Sequence, residues 1–171
     1  MAQAPKKINI EYSDFADVNQ AEIPDAILLT GNVRISHDGA ILTCKKAYFF
    51  SKENYVKAFG EVQIVQGDTL FLNSKYAEYN GNVKQAYATG NVVLKSPDMR
   101  LVTDTLNFDR VSQEAYYKTY GTITNKDNIL KSKSGRYYAN EKKFQFLTAV
   151  TVTNPKYVLK SNHLDYYNNS G

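Results

Sequence analysis

Apolar and polar residues alternate with a period of two along most of this chain. From residue 56 to residue 64, Val, Ala, Gly, Val and Ile occupy one parity, while Lys, Phe, Glu and Gln occupy the other. This period is typical of a β-strand with one buried face. Gln66-Gly67-Asp68 then predicts a turn, and Asn80-Gly81 predicts a two-residue hairpin after the next strand. The pattern predicts an all-β chain, with a short helical turn conceivable only within residues 14–26.

A short phrase returns about every 30 residues. It reads T-G-N-V-R-I at 30–35, F-G-E-V-Q-I at 59–64, T-G-N-V-V-L at 89–94, Y-G-T-I-T at 120–124 and, without its glycine, T-A-V-T-V at 148–152. Fixed self-similarity of this length indicates stacked units that bury their apolar faces against their neighbours. We predict a single domain over residues 1–171, built from about five such repeats. Its turn-like end, Asn-Asn-Ser-Gly, suggests that the array continues in a longer protein.

The buried parity changes within the second strand of the early copies. Leu42 and Cys44 are followed by Ala47 and Phe49, which lie one position out of phase. A bulge or bend between them restores one inward face, and such bends turn corners in folded-over sheets. We therefore predict a folded-over antiparallel sheet of about ten to fourteen strands, a β-taco or open β-jellyroll. A parallel β-helix is the competing stack, but the hairpin signal after residue 79 favours antiparallel pairing.

The sequence offers no constellation of catalytic or metal-binding residues. His37 and His163 have no Cys or His at metal-ligand spacing near them. Asp104 and Asp109 form a carboxylate pair that suggests a glycosidase, yet the preceding copy has Ser and Asn at those positions. Turn and strand-edge polarity is the better interpretation of the pair. We predict no enzyme, no cofactor and no metal site, and the net charge of +4 falls short of a nucleic-acid-binding surface.

Three segments together carry a resemblance to a known family. They are I-N-I-E-Y-S-D at 8–14, T-G-N-V with two further residues at 30–35 and 89–94, and L-F-L-N-S-K-Y-A-E-Y-N at 70–80. In this combination the chain resembles the OstA-like, or LptA-like, family of periplasmic lipopolysaccharide-transport proteins, over almost its whole length. The resemblance implies a taco-shaped rod whose apolar groove shields the acyl chains of lipopolysaccharide. It also implies the periplasm of a Gram-negative bacterium, hence an exported protein whose signal peptide is not part of this sequence.

The inward positions of the predicted sheet would line that groove. They are Val33, Ile35, Leu42, Val62, Ile64, Leu70, Leu72, Val92, Leu94, Leu101, Leu106, Phe108 and Ile123. Lipopolysaccharide or another lipid is the ligand that the resemblance implies, and an open groove and a dry packed core both fit the sequence. Lysines near strand ends offer charges for phosphate groups, although edge lysines also protect against aggregation. These lysines are Lys45, Lys46, Lys57, Lys75, Lys84, Lys95 and Lys118.

A sheet that never closes keeps two edges, and an open edge accepts another strand. The residues that we predict to pair there are Ile8, Ile10, Tyr12, Leu159 and Leu164. End-to-end pairing with related OstA-like domains would make the protein a homo-oligomer or dimer. Two alternative functions remain at this point. One is a structural β-repeat, such as a scaffold or adhesin-like stalk with a filled core and no lipid; the other is a carbohydrate-active β-stack, for which no acid/base pair is present.

Overall fold

The computed structural model describes residues 4–18 and 23–167. Fourteen strands form one antiparallel sheet in this part of the chain. They are β1 (Asn9–Tyr12), β2 (Phe15–Asp17), β3 (Ala26–His37), β4 (Ala40–Phe50), β5 (Tyr55–Gln66), β6 (Leu70–Asn80), β7 (Gln85–Ser96), β8 (Met99–Asp109), β9 (Glu114–Tyr117), β10 (Gly121–Asn125), β11 (Asn128–Ser132), β12 (Ser134–Tyr138), β13 (Lys143–Asn154) and β14 (Tyr157–Tyr167). Among the described residues there is no helix long and apolar enough to cross a membrane.

Each long strand pairs with the next one along the chain. β3 to β8 form an antiparallel meander, β9 and β10 both pair with β8, and β11 and β12 both pair with β13. β14 follows β13, while β1 and β2 lie one after the other along β3. The sheet does not close within the described residues, and the predicted all-β, folded-over sheet is confirmed. No helical turn is described within 14–26, because Phe15–Asp17 forms β2; residues 19–22 lie outside the described residues.

A β-bulge interrupts β3 at its midpoint. The pairing register with β4 shifts between Thr30 and Val33, and the two residues between them have left-handed φ angles of 82° at Gly31 and 47° at Asn32. β5, β7 and β13 carry a similar pair of left-handed residues at the corresponding place. Glycine adopts this conformation without a steric cost, and Asn tolerates it better than most residues. The Gly-Asn of the sequence phrase in β3 and β7 is therefore the pair that suits the bulge best.

The bulges fold the sheet into two leaves. Leaf 1 holds the strand halves joined by the turns 38–39, 67–69, 97–98, 126–127 and 155–156, and leaf 2 holds those joined by the turns 51–54, 81–84, 110–113 and 139–142. In β4 the buried residues are Ala40, Leu42 and Cys44 in leaf 1, then Ala47 and Phe49 in leaf 2. The predicted change of parity in mid-strand is confirmed, and it turns the buried side chains of both leaves toward one interior.

The core lies between the two leaves. In leaf 1, one row of cross-strand partners consists of Ile35, Leu42, Ile64, Leu72, Leu94, Leu101 and Ile123. In leaf 2, the row next to the bend contains Ala47, Ala58, Ala77 and Ala88, all 0% exposed. Small side chains beside the bend let the leaves approach each other. Farther from the bend the leaf-2 side chains become larger, with buried Phe49, Tyr79, Phe108 and Tyr137.

The turn between β6 and β7 corrects one prediction. Asn80-Gly81 does not form a two-residue hairpin, because the turn has four residues, 81–84. Gly81 instead allows its backbone to pack closely against Asn54 and Ile8. Its N–H donates to the Asn54 carbonyl at 2.8 Å, and a Cβ atom would lie 2.7 Å from Asn54 Nδ2 and 2.9 Å from Ile8 Cγ1. The glycine correctly predicted a turn. The reason for a glycine at this position is its contact with residues far away in the sequence, which a local pattern does not show.

The fourth copy of the phrase bends differently from the first three. Gly121 has no left-handed φ, whereas the preceding Tyr120 has a φ of 60°. Gly121 and Gly135 make room for the buried ring of Tyr117, since Cβ atoms built on them would lie 2.5 and 2.7 Å from its ring atoms. The Tyr117 hydroxyl bonds to Ser132 Oγ at 2.5 Å, and burial raises the Tyr117 pKa to about 12. Around this ring two long strands are each interrupted, which separates β9 from β10 and β11 from β12.

Candidate functional site

The structure places all thirteen predicted groove residues on the inner faces of the two leaves. Twelve of them are buried, and Ile64 is half-buried and packs against the same core. The predicted groove residues did not include several further residues of this interior: Leu29, Phe49, Val56, Tyr79, Leu130, Tyr137, Phe144, Phe146, Val150 and Val152. Those near the end of the chain follow the same alternation in the degenerate fourth and fifth copies. That pattern was the signal that could have found them.

The interior is closed and packed in this structure. A cavity of about 20 Å³ lies between Leu70, Leu72, Leu94, Phe108 and Arg110. A single water needs about 10–15 Å³ on this scale, so the cavity holds a water-sized probe and no acyl chain. Of the two states that the sequence left open, the structure has the packed core.

The leaves meet along a line that we call the mouth, where the turns of leaf 1 face the turns of leaf 2. Arg110, in the leaf-2 turn 110–113, donates across it to several leaf-1 acceptors. Its Nε bonds to Gln66 Oε1 at 2.9 Å, its Nη1 to the His37 carbonyl at 3.1 Å, and its Nη2 to the Asp38 carbonyl at 2.7 Å. Nη1 also donates to the Tyr79 hydroxyl at 2.8 Å. All four acceptors are neutral, and no carboxylate among the described residues forms an ion pair with Arg110.

Asp38 forms a second group of bonds at the mouth. Its carboxylate pairs with Lys84 of leaf 2, and with Lys6 of the N-terminal segment at 2.9 Å. The hydrogen bonds from Lys84 and then Lys6 hold the pKa of the Asp38 carboxyl well below its usual range. Two lysines therefore share the Asp38 carboxylate, and Arg110 bonds to the carbonyl of the same residue.

The N-terminal segment covers the mouth beside β1. The Lys6 carbonyl accepts from His37 Nε2 at 2.9 Å and from Asn54 Nδ2 at 2.8 Å. A carbonyl only accepts, so Nε2 of His37 carries the proton and Nδ1 accepts from the Tyr79 hydroxyl at 2.7 Å. Burial raises the pKa of Tyr79, and His37 itself is only 4% exposed. Asn54 Oδ1 also accepts the Ile8 N–H at 2.7 Å, which fixes the buried Ile8 side chain against the interior.

Farther along the mouth, the leaf-1 turns 67–69 and 97–98 lie against the second leaf-2 turn after them in the chain, 110–113 and 139–142 respectively. Gln66 accepts from Gln113 Nε2 at 3.2 Å, and Lys142 lies 3.9 Å from Asp98. The Tyr166 hydroxyl donates to Asn125 Oδ1 at 2.6 Å. Between the first two contacts lies a cleft of about 260 Å³. Its lining includes Gln66, Leu70, Ser96, Gln113, Asn140 and Lys142, and Gln66 and Leu70 line the small interior cavity as well.

The residues predicted to pair at the edges occupy different environments. Ile8 precedes β1 and is buried at 6% exposure, while Ile10 and Leu164 are half-buried and pack against the core. Tyr12 on β1 is 54% exposed and Leu159 on β14 is 41% exposed. The edge opposite β13 leaves β14 without a neighbouring strand in the described structure.

The lysines and carboxylates singled out in the sequence also separate by position. Lys84 is the one of the seven lysines that bonds across the mouth, whereas Lys75 packs beside Gly90 at the bend. Asp109 Oδ1 accepts from the Val111 N–H at 2.9 Å, as expected for turn polarity. No group of three or more His, Cys, Asp or Glu within 4–18 and 23–167 could hold a metal ion.

Comparison with known families decides the relationship. The model of the family described as OstA-like protein matches residues 5–162, which is most of the chain. The chain belongs to the OstA-like protein family. OstA-like proteins are periplasmic components related to lipopolysaccharide transport, a transport and binding family that is generally non-enzymatic. A search of curated proteins finds no match to this chain.

Proposed function

We propose that this chain is a non-enzymatic periplasmic lipid-binding module, which shields the acyl chains of lipopolysaccharide during transport to the outer membrane or assembly of it. The observation that carries the proposal is the row from Ile35 to Ile123, seven aliphatic side chains that run across leaf 1 without a polar residue. No β-ladder among the described residues crosses the mouth above this row. Continuous strands join the two leaves at the bend, so the leaves can separate at the mouth without breaking a β-ladder.

Energies of the right size support such an opening. An acyl chain of about a dozen methylenes gains ~10 kcal/mol on burial, before ordering costs, at ~0.8 kcal/mol per methylene. Each cross-mouth hydrogen bond contributes about 0.5–1.5 kcal/mol net, and a charged one about 1.5–3 kcal/mol. The three cross-mouth bonds of Arg110 together thus approach the gain from one chain. A lipid with several chains exceeds it, so we expect multi-chain lipids to bind and single-chain detergents to bind weakly.

The test is displacement of a fluorescent acyl probe from the full chain by lipopolysaccharide. Leu94→Asn places an amide in the interior row, where burial without a partner is costly, and should weaken probe binding by about tenfold or more. Val93→Asn is the matched control, because Val93 precedes Leu94 in the same strand and lies on the outer face. Circular dichroism checks that both variants fold. Probe binding that is indifferent to both substitutions, or absent from the unaltered protein, would contradict the proposal.

The packed interior favours one alternative, a structural β-repeat whose filled core binds no lipid. A scaffold of this kind needs the mouth to stay closed. Hydrogen exchange separates the two functions, since lipopolysaccharide should change the protection of amides in the turns 81–84 and 110–113 only if the leaves part. Unchanged exchange at saturating lipopolysaccharide would favour the scaffold.

End-to-end association is the second part of the proposed function. The edge of β14 opposite β13 has no neighbouring strand in the part of the chain that the structure describes, and Tyr157, Val158 and Leu159 are between 41% and 64% exposed. Exposed apolar edges favour strand addition. The expected result is a sedimentation coefficient that rises with protein concentration, and a Val158→Pro variant, which places a proline in the edge strand, should shift the rise to higher concentration. A strict monomer at all concentrations would contradict this part alone.

A further inference from the structure

We propose that the mouth around Arg110 is the binding site for the phosphate headgroup of the bound lipid. The inference rests on the proposed function and deepens it, because it names the charge and the place of the headgroup. Its first support is the local charge balance. Lys6, Lys84 and Arg110 converge there, and Asp38 is the one carboxylate among the described residues that pairs with any of them. The three cations and one carboxylate carry a net charge of +2, and Arg110 forms no ion pair among the described residues.

The hydrogen bonds of Arg110 provide the second support. Its guanidinium donates to two backbone carbonyls, an amide and a phenol, which are all neutral. A phosphate accepts from a guanidinium in a bidentate arrangement, with hydrogen bonds roughly twice as strong as those to neutral acceptors. Three of these bonds, to Gln66, His37 and Asp38, hold leaf 1 to leaf 2. A phosphate that captures Arg110 therefore removes cross-mouth bonds and replaces them with stronger ones, which couples headgroup binding to opening.

The shape of the mouth provides the third support. Gln66, which accepts a hydrogen bond from Arg110 Nε, lines the cleft of about 260 Å³. Its floor includes Leu70, which also lines the interior cavity next to Leu72 and Phe108. A headgroup at the Gln66 end of the cleft would have its phosphate next to Arg110 and its chains directed past Leu70 into the core. Asp98, which also lines the cleft, lies 3.9 Å from Lys142.

The experiment compares two lipids that differ only in the phosphate, dioctanoyl phosphatidic acid and dioctanoylglycerol, as competitors of the acyl probe. The unaltered protein should prefer the phosphatidic acid by about tenfold, the size of one charge-assisted contact. Arg110→Gln should abolish that preference while keeping or improving the affinity for dioctanoylglycerol, because it also weakens the closed mouth. Lys84→Gln should reduce the preference, and it serves as the second variant if Arg110→Gln does not fold. Lys75→Gln is the matched control, since Lys75 is exposed at the bend, and it should leave the preference unchanged.

Each other outcome overturns a defined claim. Equal affinity of the unaltered protein for both lipids, or a preference retained in Arg110→Gln and Lys84→Gln, would refute the headgroup site and leave the proposed function standing. Binding of neither lipid, with no displacement by lipopolysaccharide, would refute both. Glycerol phosphate is the third competitor. Displacement by it as effective as by phosphatidic acid would mean a site for free phosphate compounds and would refute the assignment to a lipid headgroup.

Discussion

Thr148→Gly should stabilise the protein, because threonine occupies the glycine position of the bulge in β13. Thr148 has a φ of 67° and Ala149 a φ of 53°, where β3 has Gly31 and Asn32. A non-glycine residue in this conformation costs about 1–2 kcal/mol, and a β-branched one is a marked outlier. Glycine adds an unfolded-state entropy cost of about 0.5–1 kcal/mol. The Thr148 side chain is exposed, so little packing is lost, and the expected net gain is about 0.5–1 kcal/mol.

Thermal unfolding followed by circular dichroism measures the gain. For a chain of this size about 1 kcal/mol corresponds to 2–4 °C in Tm, so Thr148→Gly should raise Tm by roughly 2 °C. Thr153→Gly is the matched control, since Thr153 is an exposed threonine of the same strand without a left-handed φ, and Tm should fall. The reverse change, Gly90→Thr, should lower Tm, because Gly90 has a φ of 87° and its Cβ would lie 2.8 Å from Lys75 Cβ. Equal losses of Tm in Thr148→Gly and Thr153→Gly would refute the bulge as the cause of the glycine repeat.

Three further changes test the mouth and the irregular bend. Gly135→Ala should cost about 1–3 kcal/mol by overpacking, because the new Cβ meets the Tyr117 ring at 2.7 Å; a loss within error in urea unfolding would contradict that packing. Tyr117→Phe should cost about 1 kcal/mol through the lost bond to Ser132, and an unchanged Tm would show the bond to be dispensable. Asp38→Asn should lower Tm by the same amount at every pH above about 4. The paired carboxyl has a lowered pKa, so its contribution to stability is complete above the ordinary Asp pKa and is lost progressively as pH falls from that value through the lowered one. A Tm difference that already shrinks between pH 7 and pH 5 would contradict the pairing.

The alternation of the sequence was sufficient to predict the strands and the bend, because both depend on neighbouring residues. A strand with one buried face needs a period of two, and the step from Cys44 to Ala47 breaks that period where the bulge must lie. The same local logic placed all thirteen groove residues inside. It did not explain Gly121. In the first three copies the glycine is needed for its left-handed φ angle, whereas Gly121 makes room for the Tyr117 ring.

The bonds of the mouth could not be predicted from the sequence. Arg110 and Asp38 are 72 positions apart and belong to different copies of the phrase, because facing turns are offset by one or more repeats. No local pattern encodes that offset, which follows from how the two leaves lie across each other. The buried state of Ile8 was missed for a similar reason, as its partner Asn54 lies 46 positions away in a leaf-2 turn.

The order of the strands fixes how a chain of copies would be joined. An even number of antiparallel steps leads from β1 to β14, so the first and last strands point the same way. If a second molecule follows the first without rotation, β1 and β2 of the second lie parallel to β14 of the first. Every ladder described within one chain is antiparallel. Parallel pairs are slightly less stable per residue than antiparallel ones. A fibre of these molecules would thus come apart at its joints before any of its members unfolds.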